Sequence, residues 1–326
     1  MPAFDNLAHD WQVAEGAPSV SIAVLRRGKL LYAGGCGTGT PETVYQVASL
    51  GKHLVAALAL LLAESGEGPA LDALIGPYLP ELPQAWGGIT LRHLLSHTAG
   101  IPPAGYESLD LTRDYSDAEI AGAIAAGGAL ACKPGTTWQY SNAGYVLAGI
   151  AIGRGAKAFY GDLLRDRIFV PLGMTTAMVT PPDGPVGYVR GNPMPAPASY
   201  VSRAMNRLAD GGLCLSVRDF IRWEAALESD WGSRVAEMFT ATRLDGGRAA
   251  GYGLGWFLSA GDYGRVAEHD GGWQGFSTAM VRYLDEGVTA VVLANIADAD
   301  AAGLAHRLVY GLFLDGFLGA AGHDVT

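Results

Sequence analysis

Apolar positions along this chain follow two periods, and the period in force changes with position. Ser19 to Leu25 and Lys29 to Tyr32 are rich in Val, Ile and Leu and flank Arg27-Gly28, a pattern that predicts a β-hairpin. Asp5 to Glu15 reads as a short helix before it. From Ser49 to Ser65 the spacing is helical and apolar nearly all round, as a buried helix requires. Leu91 to Ser96, Asp117 to Ala126, Tyr145 to Ile152 and Phe159 to Arg167 read as further helices, separated by Pro and Gly. Pro181 to Pro197 is Pro-rich and aperiodic, so a loop is expected, either a surface connection or a flap over a cleft. Gly253 to Leu258, Gly264 to His269, Ser277 to Tyr283 and Val288 to Ala294 read as short strands. Asp298 to Phe317 reads as a closing helix.

Strands at both ends with helices between them predict an α+β fold. An antiparallel sheet built from residues 1–50 and 205–326 is flanked by helices, with residues 51–204 inserted as a helical lobe. A catalytic cleft is expected between the two lobes. Composition agrees with a compact chain: of 326 residues 49% are hydrophobic and only 17% charged. Net charge is −10 with scattered basic residues, which leaves no footprint for nucleic acid. Cys36, Cys132 and Cys214 give neither a disulfide framework nor a metal-ligand spacing. Met1 to Trp11 lacks the basic start and apolar stretch of a secretory signal. The apolar run Leu54 to Ala63 is about half the length of a bilayer span. The expectation is a soluble cytoplasmic protein with no membrane partner.

Chemistry concentrates at three places. Ser49-Leu50-Gly51-Lys52 is the chain's sole Ser-x-x-Lys, and with 15 serines and four lysines about 0.2 such pairs arise by chance. On a helix the lysine lies one turn from the serine and can take its proton, provided burial lowers the amine pKa. The competing reading is a helix cap followed by a surface lysine. Tyr140-Ser141-Asn142 offers a phenol for proton relay and an amide for a substrate carbonyl, although alone it reads as a capping loop. His269-Asp270-Gly271-Gly272-Trp273 reads as a strand end whose glycines let a substrate approach. An N–H there, paired with that of Ser49, would form an oxyanion hole, against the alternative of a plain hairpin turn.

In this order the three motifs resemble those of the serine β-lactamase and penicillin-binding superfamily, in its class C-like branch where the second motif is Tyr-x-Asn. Within that branch the chain looks most like family VIII carboxylesterases and D-aminopeptidases. Ile89 to Pro102, Pro171-Leu172-Gly173-Met174, Gly211-Gly212-Leu213 and Gly251 to Trp256 resemble further landmarks, so the likeness spans about residues 10 to 315. The resemblance implies a β-lactamase-like fold, with Ser49 as acylated nucleophile and Lys52 and Tyr140 sharing general-base and general-acid work. It also implies that Asn142 binds a substrate carbonyl and that the N–H groups of Ser49 and Gly272 form the oxyanion hole.

His269 stands where β-lactamases carry the lysine of Lys-Thr-Gly. Histidine is mostly neutral at pH 7, which disfavours carboxylate-bearing β-lactams and favours neutral esters. Asn142 pulls toward amides, and Trp273 and Tyr106 are candidate apolar walls. His93 and His97 are four apart but lack the glutamate of a zinc protease, so no metal is expected. Gly275 to Ala279 lacks the last glycine of a nucleophile elbow, and Gly35 to Gly39 lacks the spacing of a dinucleotide fingerprint. The expectation is a cofactor-free serine hydrolase acting on a small ester. A D-aminopeptidase or DD-peptidase-like amide hydrolase or weak β-lactamase is the first alternative, and an idle ligand-binding scaffold the second.

Overall fold

The computed structural model describes residues 2–314 except 182, 192–195, 230 and 262. Helix α1 (Pro2–Glu15) precedes the hairpin of β1 (Ser19–Arg26) and β2 (Lys29–Gly37). A short strand β3 (Tyr45–Gln46) and a 3-10 turn (Ala48–Gly51) lead into α2 (Lys52–Ser65). The helical stretch that follows includes α3 (Leu91–Leu95), α4 (Asp117–Ala125) and α5 (Asn142–Ala156). Strands β4 (Met178–Val179) and β5 (Leu213–Leu215) then join β3 in a small sheet of order β3-β5-β4. Helix α6 (Val217–Ser229) precedes β6 (Phe257–Gly261), β7 (Gly264–Trp273), β8 (Phe276–Tyr283) and β9 (Val288–Ala294), and α7 (Ala301–Leu314) follows.

The large sheet is antiparallel, in the order β2-β1-β9-β8-β7-β6. Its central strands are apolar on both faces because both faces are covered. Val20, Ile22, Val24, Ala290 and Val292 point into one core, closed by Phe4 and Trp11 of α1 and Leu304 and Leu308 of α7. Ala23, Leu25, Met280, Val291 and Leu293 point into the other, with Leu54 of α2 and Phe220 and Trp223 of α6. A period of two thus sorts each strand's side chains between two interiors.

Turn chemistry sets the register. Arg27-Gly28 (φ +47° and +71°) and Gln274-Gly275 (φ +48° and +84°) are two-residue turns with both φ positive, matched to the twist of the strands they join. The second explains a departure from expectation. β7 does not end at His269 but runs through Gly271 and Gly272 to Trp273, because the turn pairs those residues with Thr278, Ser277 and Phe276.

Other boundaries shift for local reasons. Helix α5 starts three residues earlier than its apolar pattern because the Ser141 hydroxyl caps it, accepting from the Gly144 N–H at 3.1 Å. The strand expected from Gly253 begins only at Phe257, since the Gly253 N–H closes a turn on the Trp256 carbonyl at 2.8 Å. Within that turn Gly255 (φ +79°) lies so close to α2 that a Cβ would come within 2.4 Å of His53 Cα. Helix α7 starts at Ala301, where the Asp300 carboxylate accepts from the Gly303 N–H at 2.8 Å; the end expected for it at Phe317 lies outside the described residues. Part of the expected loop from Pro181 to Pro197 also lies outside them, and Tyr188–Val189 pairs there with Ala196–Pro197.

Ala48–Ser65 is long and apolar enough to cross a membrane by length and composition, yet 72% of it is buried inside this fold. His53 within it is sandwiched between Trp256 and Trp223, with ring centroids at 4.5 and 5.8 Å, and burial holds its pKa well below the usual histidine range.

The sheet is clamped to α6 by Arg282, which is 4% exposed and donates to Glu224 (3.0 Å, 0% exposed) and Glu228 (2.5 Å). Arg282→Met strands two carboxylates, one of them fully buried, and is expected to destabilise the fold by about 3–5 kcal/mol in guanidinium unfolding. Arg265→Met, which breaks an exposed pair with Asp285, should leave the unfolding midpoint nearly unchanged.

Candidate active site

Ser49 sits in the 3-10 turn, and that turn is fixed from three sides. The Val47 N–H donates to the Leu213 carbonyl of β5 at 2.9 Å. The Val47 carbonyl accepts from Thr278 Oγ1 of β8 at 2.7 Å and from the Leu50 N–H at 3.2 Å. Ala48 takes a left-handed φ of +51°, which bends the chain sharply enough to present the next residue. Strand β7 lies directly against the turn: a Cβ on Gly271 would fall 2.4 Å from the Val47 carbonyl oxygen and 3.0 Å from the Leu50 nitrogen. Glycine at 271 is therefore a packing requirement.

Lys52 opens α2 and is 0% exposed. Its Nζ donates to Ser49 Oγ at 2.8 Å, Asn142 Oδ1 at 2.9 Å and the Asp210 carbonyl at 2.5 Å. The rings of Tyr140 and Tyr145 lie 5.1 and 5.4 Å from it. Burial lowers the amine pKa to about 8, against the opposing pull of the Asp210 and Asp270 carboxylates. A neutral amine has two N–H donors and one lone pair. Two of its three neighbours are pure acceptors, so they take the donors and aim the lone pair at the Ser49 hydroxyl.

Burial drives the Tyr140 phenol pKa upward, against the opposing pull of nearby Ser49, so it holds its proton at neutral pH. His97 backs it, with ring centroids 4.4 Å apart. The imidazole Nδ1 of His97 accepts from the Ser141 N–H at 3.1 Å and its carbonyl accepts from the Gln139 N–H at 2.9 Å, which fixes the whole Tyr140-Ser141-Asn142 loop. Asn142 lines the cleft while its Oδ1 serves Lys52, leaving the Nδ2 amide to donate to a substrate.

The cleft beside Ser49 has a volume of about 30 Å³. Gly272 and Trp273 form one wall, Tyr106, Met205, Asn206 and Asp210 the other. A Cβ on Gly272 would meet nothing within 4 Å, so the missing side chain there keeps space open rather than relieving a clash. Asn206 Oδ1 accepts from Gln46 Nε2 at 2.6 Å and from Trp273 Nε1 at 3.2 Å, tying the walls together. Tyr106 is not a purely apolar wall, because its hydroxyl donates to Asp210 Oδ2 at 2.6 Å. Burial raises the Asp210 carboxyl pKa, opposed by Lys52 and by Tyr106.

His269 departs from the role expected for it. It is 2% exposed and its ring faces the interior, 5.0 Å from that of Phe257. Nδ1 lies 2.6 Å from the Asp270 carbonyl and must donate to it, so Nε2 accepts from the Tyr252 hydroxyl at 3.1 Å. Burial and nearby Lys52 lower its pKa to about 3. The imidazole is a neutral strut packed against Tyr140 and is not among the residues lining the cleft beside Ser49. His93 and His97 likewise serve separate structural bonds, and among the described residues no group of three or more His, Cys, Asp or Glu is placed to hold a metal.

Asp210, Asn206, Gln46 and His97 are the residues that the sequence reading did not place in the site. Of these only His97 lay in a segment singled out by resemblance; Asp210 directly precedes Gly211-Gly212, the nearest signal available.

The beta-lactamase family model matches residues 4–312. Penicillin-binding protein 4* of Bacillus subtilis is 30% identical over 282 residues, covering 78% of this chain and 61% of that protein. D-aminopeptidase of Brucella canis is 24% identical over 325 residues, 90% of this chain and 60% of its own length. The chain thus spans about three fifths of the length of either relative. The octameric penicillin-binding protein homologue from Pyrococcus abyssi superposes with a TM-score of 0.82 at 23% identity, over 97% of this chain and 77% of that one, a likeness of fold.

The two glycines separate by experiment. Gly271→Ala should destabilise by about 1–3 kcal/mol in thermal unfolding and abolish labelling of Ser49 by a fluorophosphonate, because the turn must shift. Gly272→Ala should fold with an unchanged midpoint and lose turnover only. The lysine sets the pH profile: the base form exists above its pKa, so kcat/KM should rise with pH at unit slope and level off near pH 8.

Proposed function

The chain belongs to the beta-lactamase family, and from that premise we propose a serine hydrolase that cleaves short-chain carboxylic esters through an acyl-Ser49 intermediate. The observation that carries the reading is the Lys52 amine, 2.8 Å from Ser49 Oγ and oriented by two further acceptors. Lys52 is the resident base because its pKa of about 8 leaves about a tenth of it neutral at pH 7, whereas the Tyr140 phenol stays protonated.

In acylation Lys52 takes the Ser49 proton as Oγ bonds to the ester carbonyl carbon. Negative charge gathers on the carbonyl oxygen, held by the N–H groups of Ser49 and Gly272, each worth about 2.7–4 kcal/mol of barrier. The ester C–O bond then breaks, and Tyr140 gives its proton to the departing alkoxide, to be restored from Lys52. Water repeats the sequence against the acyl-enzyme and releases the acid. Asn142 Nδ2 orients the acyl group.

Two features favour a small neutral ester. The cleft is narrow, and among the described residues that line it none is a cation for a substrate carboxylate, as a β-lactam would need. A second reading, an amide or ester bearing a free amine, draws support from the Asp210 carboxylate in the same wall and from the D-aminopeptidase likeness.

A fluorophosphonate probe should label Ser49, and Ser49→Ala should lower turnover by about 10⁴-fold or more with the fold intact. Among p-nitrophenyl esters, acetate and butyrate should outrun octanoate, with D-alanyl anilide slow and a chromogenic cephalosporin slower. D-alanyl anilide as best substrate, with Asp210→Asn raising its KM alone, would install the second reading. Full turnover by Ser49→Ala would remove both.

A further inference from the structure

A second cavity among the described residues is far larger than the catalytic cleft. It measures about 530 Å³ and lies behind α5, on the far side of the segment that walls the site. Residues 204–210 have two faces. Met205, Asn206 and Asp210 line the Ser49 cleft, whereas Ala204, Arg207, Leu208 and Ala209 line this second space. The two are therefore distinct chambers with one partition. A volume of this size suits a small organic ligand.

Its lining has a definite chemistry. Ile120, Val146, Ile150 and Leu208 make an apolar floor, and Phe159, a large and exposed aromatic, stands at the rim. The Arg207 guanidinium sits over the Phe159 ring at 4.7 Å, and no carboxylate pairs with it among the described residues. Lys157, at the end of α5 with a left-handed φ of +55°, is an exposed cation that likewise has no ion pair among them. Arg154 in the same wall is neutralised by Glu81, with two contacts of 2.8 Å. The one acid in the lining, Asp117, acts on Arg154. Arg154, Lys157 and Arg207 together outnumber Glu81 and Asp117 by one charge, and in a chain of net charge −10 that is a local reversal of sign.

We propose that this cavity is a second ligand site, for a small organic anion with an apolar body, such as an aryl or alkyl monocarboxylate. The carboxylate is held by Arg207 and Lys157, and the body lies on the Val146 and Ile150 face of α5. A guanidinium stacked on an aromatic ring is already oriented, so little conformational freedom is lost when it binds the anion. The site stands independently of the reaction at Ser49.

The test is calorimetric titration with 4-phenylbutyrate, with neutral 4-phenylbutanol alongside. One equivalent of the acid should bind, at least about tenfold tighter than the alcohol. Arg207→Glu should weaken the acid by about tenfold or more. Ala158→Trp, which fills the hollow from its exposed rim, should abolish binding while circular dichroism and the thermal midpoint stay at wild-type values. The same titration on Ser49→Ala should be unchanged, which separates this site from the catalytic one. Absence of binding, equal affinity in all these proteins, or an alcohol as tight as the acid would each overturn the assignment.

Discussion

An amine with no exposure to solvent is the constraint around which the site is assembled. Lys52 cannot remain charged cheaply inside an apolar helix, nor can its N–H groups go unmatched. The chain meets both demands with three oxygens from three distant segments: Ser49 on the preceding turn, Asn142 at the start of α5 and the Asp210 carbonyl beside the Gly211-Gly212 pair. Helix α2, helix α5 and the 204–212 segment are thereby locked to one nitrogen. The same burial that makes this costly moves the amine into the range where it can work as a base. Structural cohesion and reactivity share one cause.

Around that nitrogen the large sheet serves as a platform. β8 reaches the nucleophile turn through the Thr278 hydroxyl, and β7 touches it by backbone alone at Gly271. Two adjacent glycines have opposite reasons for being glycine. One permits contact between main chains; the other preserves room for something that is not protein. His97 and, from β7 itself, His269 pack against Tyr140, both kept uncharged by burial. A charged imidazole at either place would compete with Lys52, so their neutrality protects the lysine's remaining ability to accept a proton.

Much of this was legible before any coordinates. Val288 to Ala294 read as a short strand, and its bounds agree residue for residue. Ser49 and Lys52 were legible because three residues of separation close a turn in either an α or a 3-10 helix. The assembly of a sheet from both ends followed from where the strand-like runs lay. Asp210, Asn206 and Gln46 were illegible for the opposite reason. They are single polar residues in non-periodic segments, and their meaning arises only from partners 67 to 160 positions away. His269 shows a subtler failure. Its place in the chain was read correctly but its direction was not, because strand parity puts it on the same inward side as Gly271, the side pressed against the nucleophile turn.

The pairing of β1 with β9 joins Ser19–Arg26 to Val288–Ala294. Such a ladder spans most of the polypeptide, which makes its closure a late event with a large entropic toll. During synthesis the first hairpin emerges long before its neighbour exists and must wait with one edge, and the face turned away from α1, uncovered. Until the last strands arrive that edge is open to pairing with another chain, so the order of synthesis sets the period of greatest risk for misassembly.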